Sequence, residues 1–310
     1  FKVGGLKKYG LDYESLREIN PGLIYCSITG FGQSGPYAER AGNDFIIQAM
    51  SGLMSVTGQP PGSTGDEPMK IGVALTDILT GLYSCIGILT ALSHRQRTGV
   101  GQHIDMSLMD VSVAAMANQA LNYLVSGDAP TRMGNAHPNI VPYQVFPTAD
   151  GHLIIAVGND RQFSDLCRVL GDTDLAADPR YQSNKRRVEH REALIAALQA
   201  LTVRATTAEW IRQLETAKVP CGPINDMHAV FNDPQVVARG NRISLDSGGQ
   251  SIPGVASPLR LSQTPPDYHS APPQLGQHTQ SVLQTLLNLS PQECRQLSEK
   301  NICRLAGHQP

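Results

Sequence analysis

The sequence predicts an α/β fold, a parallel sheet covered by helices on both faces, followed by a smaller α+β body. Three observations carry this. A continuous apolar strand without polar alternation, GLIYCSITG at residues 22–30, lies between helical segments, the pattern of a strand buried on both faces. It runs into a glycine-rich turn, GFGQSGP at 30–36, at the carboxyl edge where open α/β sheets place ligands. Beyond Gly127 the texture changes to a polar connector and then a hairpin pattern centred on Asp150-Gly151. At 310 residues the chain has room for two domains of roughly 150 residues each.

Taken in order, Tyr13–Ile19 is a short amphipathic helix ahead of the strand. A helix at 44–54 follows, then a loop rich in proline, glycine and serine at 58–65. Ile78, Leu82, Cys85, Ile86, Leu89 and Leu92 recur at three- and four-residue spacing and predict a buried helix at 78–97. Its apolar run, 78–93, is shorter than the roughly 18 residues of a membrane span, so no membrane is expected. A glycine turn at 98–101 leads into a strand at 102–106 and a third long helix at 108–124. These segments, 1–125, form the predicted large domain. The small α+β domain occupies 130–203, with strands at 143–146 and 152–157 and helices at 162–170 and 189–201. Residues 204–310 carry a helix at 207–217 with the single tryptophan, Trp210, then short strands, proline-rich turns and a helix at 280–286. They are expected to return and pack on the large domain.

Composition narrows the function. With 25 Lys and Arg against 27 Asp and Glu, and only 5% aromatic residues, there is no basic footprint or stacking platform for nucleic acid. The six cysteines form no CxxC pair and have no histidine at metal spacing, so the expectation is buried thiols in a reducing, cytoplasmic compartment and no metal. Cys221, in VPCGP at 219–223, is the one tempting nucleophilic thiol. GxGxxG, a P-loop, GxSxG and HExxH are absent, which makes the 30–36 loop a turn for close ligand approach rather than a phosphate cradle.

What remains is a set of carboxylates at element ends. Asp77 follows the uncharged stretch IGVALT and precedes the apolar helix, where the helix dipole favours the charged form. Its structural reading is an N-cap; its functional reading is a carboxylate nucleophile. Asp44 and Asp110 read as negative charges in the first turns of their helices. His137 lies in a connector bounded by glycine and proline, facing ligand or solvent. Lys7, Lys8 and Arg40 read as a solvated face or as phosphate contacts.

Seven motifs, FKVGGLKKYG (1–10), NPGLIY (20–25), TGFGQSGP (29–36), GVALTD (72–77), TGVGQHID (98–105), VPCGP (219–223) and LGQHT (275–279), resemble in order the class III coenzyme A transferases, the CaiB/BaiF family. The resemblance implies an open Rossmann-like large domain with the small domain inserted in it, and an interlocked homodimer. It also accounts for a chain that opens at Phe1 in mid-element, since family members begin with further strands. The resemblance makes Asp77 the nucleophile, which takes an acyl group from acyl-CoA and hands CoA to a free carboxylic acid through an anhydride and an aspartyl-CoA thioester. No permanently bound cofactor is implied, coenzyme A being a cosubstrate. CoA contacts carry over to Phe1, Lys2, Lys8 and Tyr9, and to Arg40, which is displaced from the family's basic position. Asn43, Asp44 and His137 are the implied substrate contacts.

Two departures shape the expected substrate. Racemases of this fold carry a histidine where this chain has Asn43, which takes no proton at neutral pH, so isomerase chemistry is the alternative rather than the expectation. Formate-using members cover the nucleophile with a tetraglycine loop. Here GNAHPN at 134–139 instead resembles members acting on dicarboxylic acids, with His137 paired to the distal carboxylate. A second alternative is a catalytically silent fragment.

Overall fold

The computed structural model describes residues 2–247 and 249–306, which fall into two compact units, Phe1–Pro223 and Ile224–Pro310. Phe1, expected among the CoA contacts, lies outside the described residues.

The first unit opens with α1 (Tyr13–Ile19), started by the Asp12 carboxylate, which accepts the Ser15 N–H at 3.2 Å. After β1 (Tyr25–Thr29) the chain passes through α2 (Asp44–Met50), α3 (Leu53–Val56) and α4 (Leu75–Thr98) before β2 (His103–Ser107). β2 lies parallel to β1 in register from Tyr25 opposite His103 to Thr29 opposite Ser107, as the unalternating strand pattern predicts. The predicted helix at 44–54 is interrupted by Gly52, whose φ of +90° is left-handed. The predicted helix at 108–124 is two helices, α5 (Leu108–Ala115) and α6 (Ala117–Ser126), broken where Ala117 takes φ +45°.

The predicted hairpin is present as β3 (Tyr143–Pro147) and β4 (His152–Ala156), followed by α7 (Asp160–Leu170), α8 (Thr173–Ala177), α9 (Asn184–Glu189), α10 (Arg191–Thr202), α11 (Thr207–Thr216) and β5 (Cys221–Pro223). β5 pairs antiparallel with β4. One apolar cluster, built on Phe146, Leu153, Ile155, Phe163 and Leu198, runs on past residue 203 through Trp210, Leu214 and Val219. The reason is local: the Trp210 indole N–H donates to the Thr202 carbonyl at 2.6 Å, and β5 completes the sheet. The α+β body therefore packs beyond the boundary expected at 203.

The second unit holds α12 (Met227–Asn232), α13 (Pro234–Ala238), the antiparallel pair β6 (Arg242–Ser247) and β7 (Gln250–Val255), α14 (Thr279–Leu287) and α15 (Pro291–Glu299). Ser290 and Glu293 form a capping box at the start of α15.

The helix read as buried, α4, is not buried in this chain. Ile78, Leu82, Ile86 and Leu89 are 52%, 57%, 59% and 64% exposed, and the buried residues are Thr76, Thr80, Ser84 and Ala91. Small residues turn inward because the Thr80 and Ser84 hydroxyls are satisfied within the helix, donating to the carbonyls of Thr76 and Thr80 at 2.6 and 2.7 Å. At 24 residues α4 is also longer than the apolar run suggested, and by length and composition it is apolar enough to cross a membrane.

Candidate active site at the start of α4

Two glycine backbones set the geometry. A Cβ on Gly30 would lie 2.6 Å from the Gly42 Cα, and one on Gly42 would lie 2.8 Å from the Gly30 Cα. The end of β1 and the segment leading into α2 thus touch main chain to main chain, an approach open only to glycine. The Gly30 carbonyl also accepts the Met109 N–H at 3.0 Å, tying the start of α5 to the same point. The sequence reading assigned the 30–36 glycines to ligand approach; at Gly30 the neighbour is the chain itself.

This crossing brings the first turn of α2 to the first turn of α4. Ala74 stands at the N-cap of α4 and has no side-chain acceptor. The acceptor comes instead from Asp44, whose Oδ1 takes the Thr76 N–H at 2.8 Å, the Thr76 hydroxyl, and the Asp77 N–H at 3.4 Å. Its other oxygen, Oδ2, accepts the Gln48 amide at 2.7 Å. Gln48 is fully buried, and its Oε1 accepts the Ile71 N–H at 2.9 Å. Burial pushes the Asp44 carboxyl upward, but the hydrogen bonds from Thr76, Gln48 and Asp77 outweigh it and hold the group below the ordinary aspartate value.

Asp77 is the third residue of α4, exposed at the positive end of a 24-residue helix, and its carboxylate accepts no hydrogen bond from the described residues. It is not the N-cap that its spacing allowed. Asn43 is itself a cap, its Oδ1 accepting the Ile46 N–H at 3.2 Å at the start of α2.

His137 packs its ring on Tyr143, with centroids 5.3 Å apart, and its Nδ1 accepts the Asn139 N–H at 3.1 Å. That bond assigns the ring proton to Nε2. Burial, then the nearby Arg191 charge, lowers its pKa, so it offers a hydrogen bond from a neutral ring rather than a cation. Arg191 donates to the Pro138 carbonyl at 2.8 Å and so stiffens the connector.

Among the predicted CoA contacts, Lys2 and Arg40 line one cavity of about 480 Å³ together with Thr29, Gly30 and Gly42. The Arg40 guanidinium stacks on Tyr37 at 4.4 Å and on Phe31 at 5.4 Å. Lys8 and Tyr9 do not line that cavity; the Lys8 ammonium sits over the Tyr9 ring at 4.8 Å on an exposed 3₁₀ turn. Cys221, the tempting thiol, is pushed upward by burial and then by Glu215, the opposite of what a thiolate nucleophile needs. Among the described residues, no three His, Cys, Asp or Glu side chains gather as a metal site. Gln48 and Thr76 were missed by the sequence reading. The one available signal was that Asp44 and Gln48 stand at i and i+4 on one helix.

A parallel strand pair with crossover helices, together with antiparallel sheets, makes this a mixed α/β chain, with an aspartate at the start of α4 that has no side-chain partner among the described residues. The sequence profile of CoA-transferase family III matches residues 1–279, and the chain belongs to that family. It is 55% identical to the succinate–glutarate CoA-transferase of Agrobacterium fabrum, over 92% of this chain and 71% of that protein. It is 41% identical to the succinyl-CoA:glutarate CoA-transferase of Mus musculus, over 92% of this chain but 64% of that protein, less than two thirds of its length. Among solved structures, a CaiB/BaiF family protein from Brucella suis superposes with a TM-score of 0.76 at 53% identity, covering 91% of this chain and 72% of that one.

Proposed function

We propose that this protein transfers coenzyme A from an acyl-CoA to a free short-chain dicarboxylate, with Asp77 as the covalent carrier. The observation that carries the reading is the exposed Asp77 carboxylate, without a side-chain partner among the described residues, at the start of a long helix whose Thr76 and Asp77 N–H groups are already satisfied by Asp44. The substrate class is supported by the relatives' names, which specify glutarate with succinate or succinyl-CoA, oxalate, D-citramalate and mesaconate, all dicarboxylates.

The chemistry balances without ATP or metal. An Asp77 oxygen attacks the thioester carbonyl, the C–S bond breaks, and a mixed anhydride forms as the CoA thiolate leaves. The thiolate attacks the Asp77 carbonyl carbon, giving an aspartyl-CoA thioester and freeing the donor acid. The acceptor carboxylate attacks that thioester, forming a second anhydride and expelling the thiolate, which then takes the acceptor acyl group and releases Asp77. One thioester replaces another of similar energy. In this reading Lys2 contacts CoA, Lys8 and Arg40 meet its phosphates, and Tyr9 lies beside its adenine. Asn43 and the neutral His137 donate hydrogen bonds to the acid. The exposed apolar face of α4 supports the interlocked dimer expected from the sequence, because so large a face needs a protein cover.

Incubation with succinyl-CoA and hydroxylamine is expected to leave a hydroxamate on Asp77, located by peptide mass, and Asp77→Ala is expected to abolish transfer while the protein stays folded. An adduct on another residue, or an active Asp77→Ala variant, overturns the reading. Rapid deuterium exchange at the α-carbon of 2-methylacyl-CoA with no acceptor acid present would move it to isomerase chemistry.

A further inference from the structure

We infer that Gln48 is a positioning residue for the Asp77 carboxylate, acting through Asp44. The inference rests on the reading of Asp77 as the nucleophile and deepens it.

Gln48 is a primary amide with no exposed surface, and its hydrogen-bonding capacity is spent on one task. Its Nε2 hydrogens go to Asp44 Oδ2 at 2.7 Å and to the Val73 carbonyl at 3.4 Å, and its Oε1 takes the Ile71 N–H at 2.9 Å. Flipping the amide would set oxygen against carboxylate and N–H against N–H, so only one orientation is consistent with the partners. The side chain thereby fixes two things at once. It holds the connector that leads into α4, through Ile71 and Val73, and it holds Asp44 with Oδ1 turned to the helix start.

The consequence concerns the donors at the helix start. The N–H groups of the second and third helical residues ordinarily go to the side chain of the helix's own N-cap, which here is Ala74 and has no acceptor. At the start of α4 the N–H groups of Thr76 and Asp77 are occupied by Asp44. Asp44 fills the capping role that Ala74 cannot, the Asp77 carboxylate stands without a partner among the described residues, and Gln48 keeps Asp44 in place.

The test reads the first-order rate of hydroxylamine-trapped Asp77 at saturating succinyl-CoA, with the unfolding midpoint and the KM for succinyl-CoA measured on the same preparations. Gln48→Glu sets two carboxylates against each other, and Gln48→Met removes the amide while keeping its bulk. Each is expected to slow trapping by about 10- to 100-fold, the scale of an ångström-sized misplacement, with KM within about twofold. The double variant Asp44→Asn with Gln48→Glu restores donor to acceptor across the pair and is expected to recover most of the rate lost by Gln48→Glu. Wild-type trapping rates in Gln48→Glu and Gln48→Met overturn the inference while leaving the nucleophile intact. So does a loss that the double variant does not recover and that follows the unfolding midpoint, which marks a purely structural role. If the wild-type adduct is found away from Asp77, the nucleophile reading fails, and this inference fails with it.

Discussion

Replacing Gly30 with alanine tests the main-chain crossing on which the site is built. The new Cβ would lie 2.6 Å from the Gly42 Cα, 3.0 Å from its nitrogen and 3.2 Å from its carbonyl carbon. Carbon atoms pack best near 3.5–4.0 Å, so the two segments must separate by about 1 Å, and no rotamer change relieves it because every atom met is backbone. Overpacking of this kind costs about 1–3 kcal/mol, and straining the bond from Met109 N–H to the Gly30 carbonyl adds about 1 kcal/mol, for a total of about 2–4 kcal/mol. A domain with a typical stability of about 5–15 kcal/mol stays folded after such a loss. The displaced segment leads straight into Asn43 and Asp44, so Asp77 loses its alignment along with them, and hydroxylamine trapping is expected to fall by about 100-fold. Urea unfolding gives the first quantity and trapping kinetics the second. Stability within about 0.5 kcal/mol of wild type, with trapping within about twofold, would refute the crossing as the determinant of the site.

Two further outcomes concern charge. Arg187, 1% exposed, donates to the Val141 and Tyr181 carbonyls at 2.8 and 2.9 Å and to Asp160 at 2.8 Å, with its guanidinium 4.6 Å from the Phe163 centroid. Arg187→Met strands both buried carbonyls and is expected to cost about 3–5 kcal/mol in chemical unfolding; a change under about 1 kcal/mol contradicts that bonding. The depressed Asp44 pKa stabilises the fold above the ordinary aspartate value of 3.8 and is lost as pH falls through the lower folded-state value. Wild type is therefore expected to lose its advantage over Asp44→Asn in urea midpoints only in acid, below about pH 4, and an advantage unchanged down to pH 2 would contradict the assignment.

Much of the architecture was legible because it is local. The unbroken apolar run 22–30 marks a strand, although β1 is only half-buried and its Ile28 is 52% exposed; Asp150-Gly151 marks a hairpin, and Asp12 caps α1 where the helix was expected. The failures share a cause. Periodicity at Ile78, Leu82, Ile86 and Leu89 identifies the helix but not which of its faces the rest of the protein covers, and in α4 the inward face is the small polar one. Helices broken at Gly52 and Ala117 are likewise set by backbone angles that the apolar spacing does not encode. Trp210, assigned by sequence to a returning tail, belongs to the α+β core because of where its ring packs.

The site shows the same division more sharply. Asp77 reads from its spacing as either an N-cap or a nucleophile, and it is the family resemblance that favours the nucleophile. Its helix start is capped in trans, by a carboxylate 33 residues earlier in the chain, and no spacing rule relates the two. The contact exists because Gly30 and Gly42 let two backbones meet, which lays α2 against α4, and because Gln48 turns Asp44 toward Thr76. Asn43 fits the same economy. As the cap of α2 it fixes the helix that delivers Asp44, and a proton-accepting histidine in its place would have to give up that bond to work on substrate. Asn43 therefore supplies a cap and an amide donor at this position, and no group that takes a proton at neutral pH.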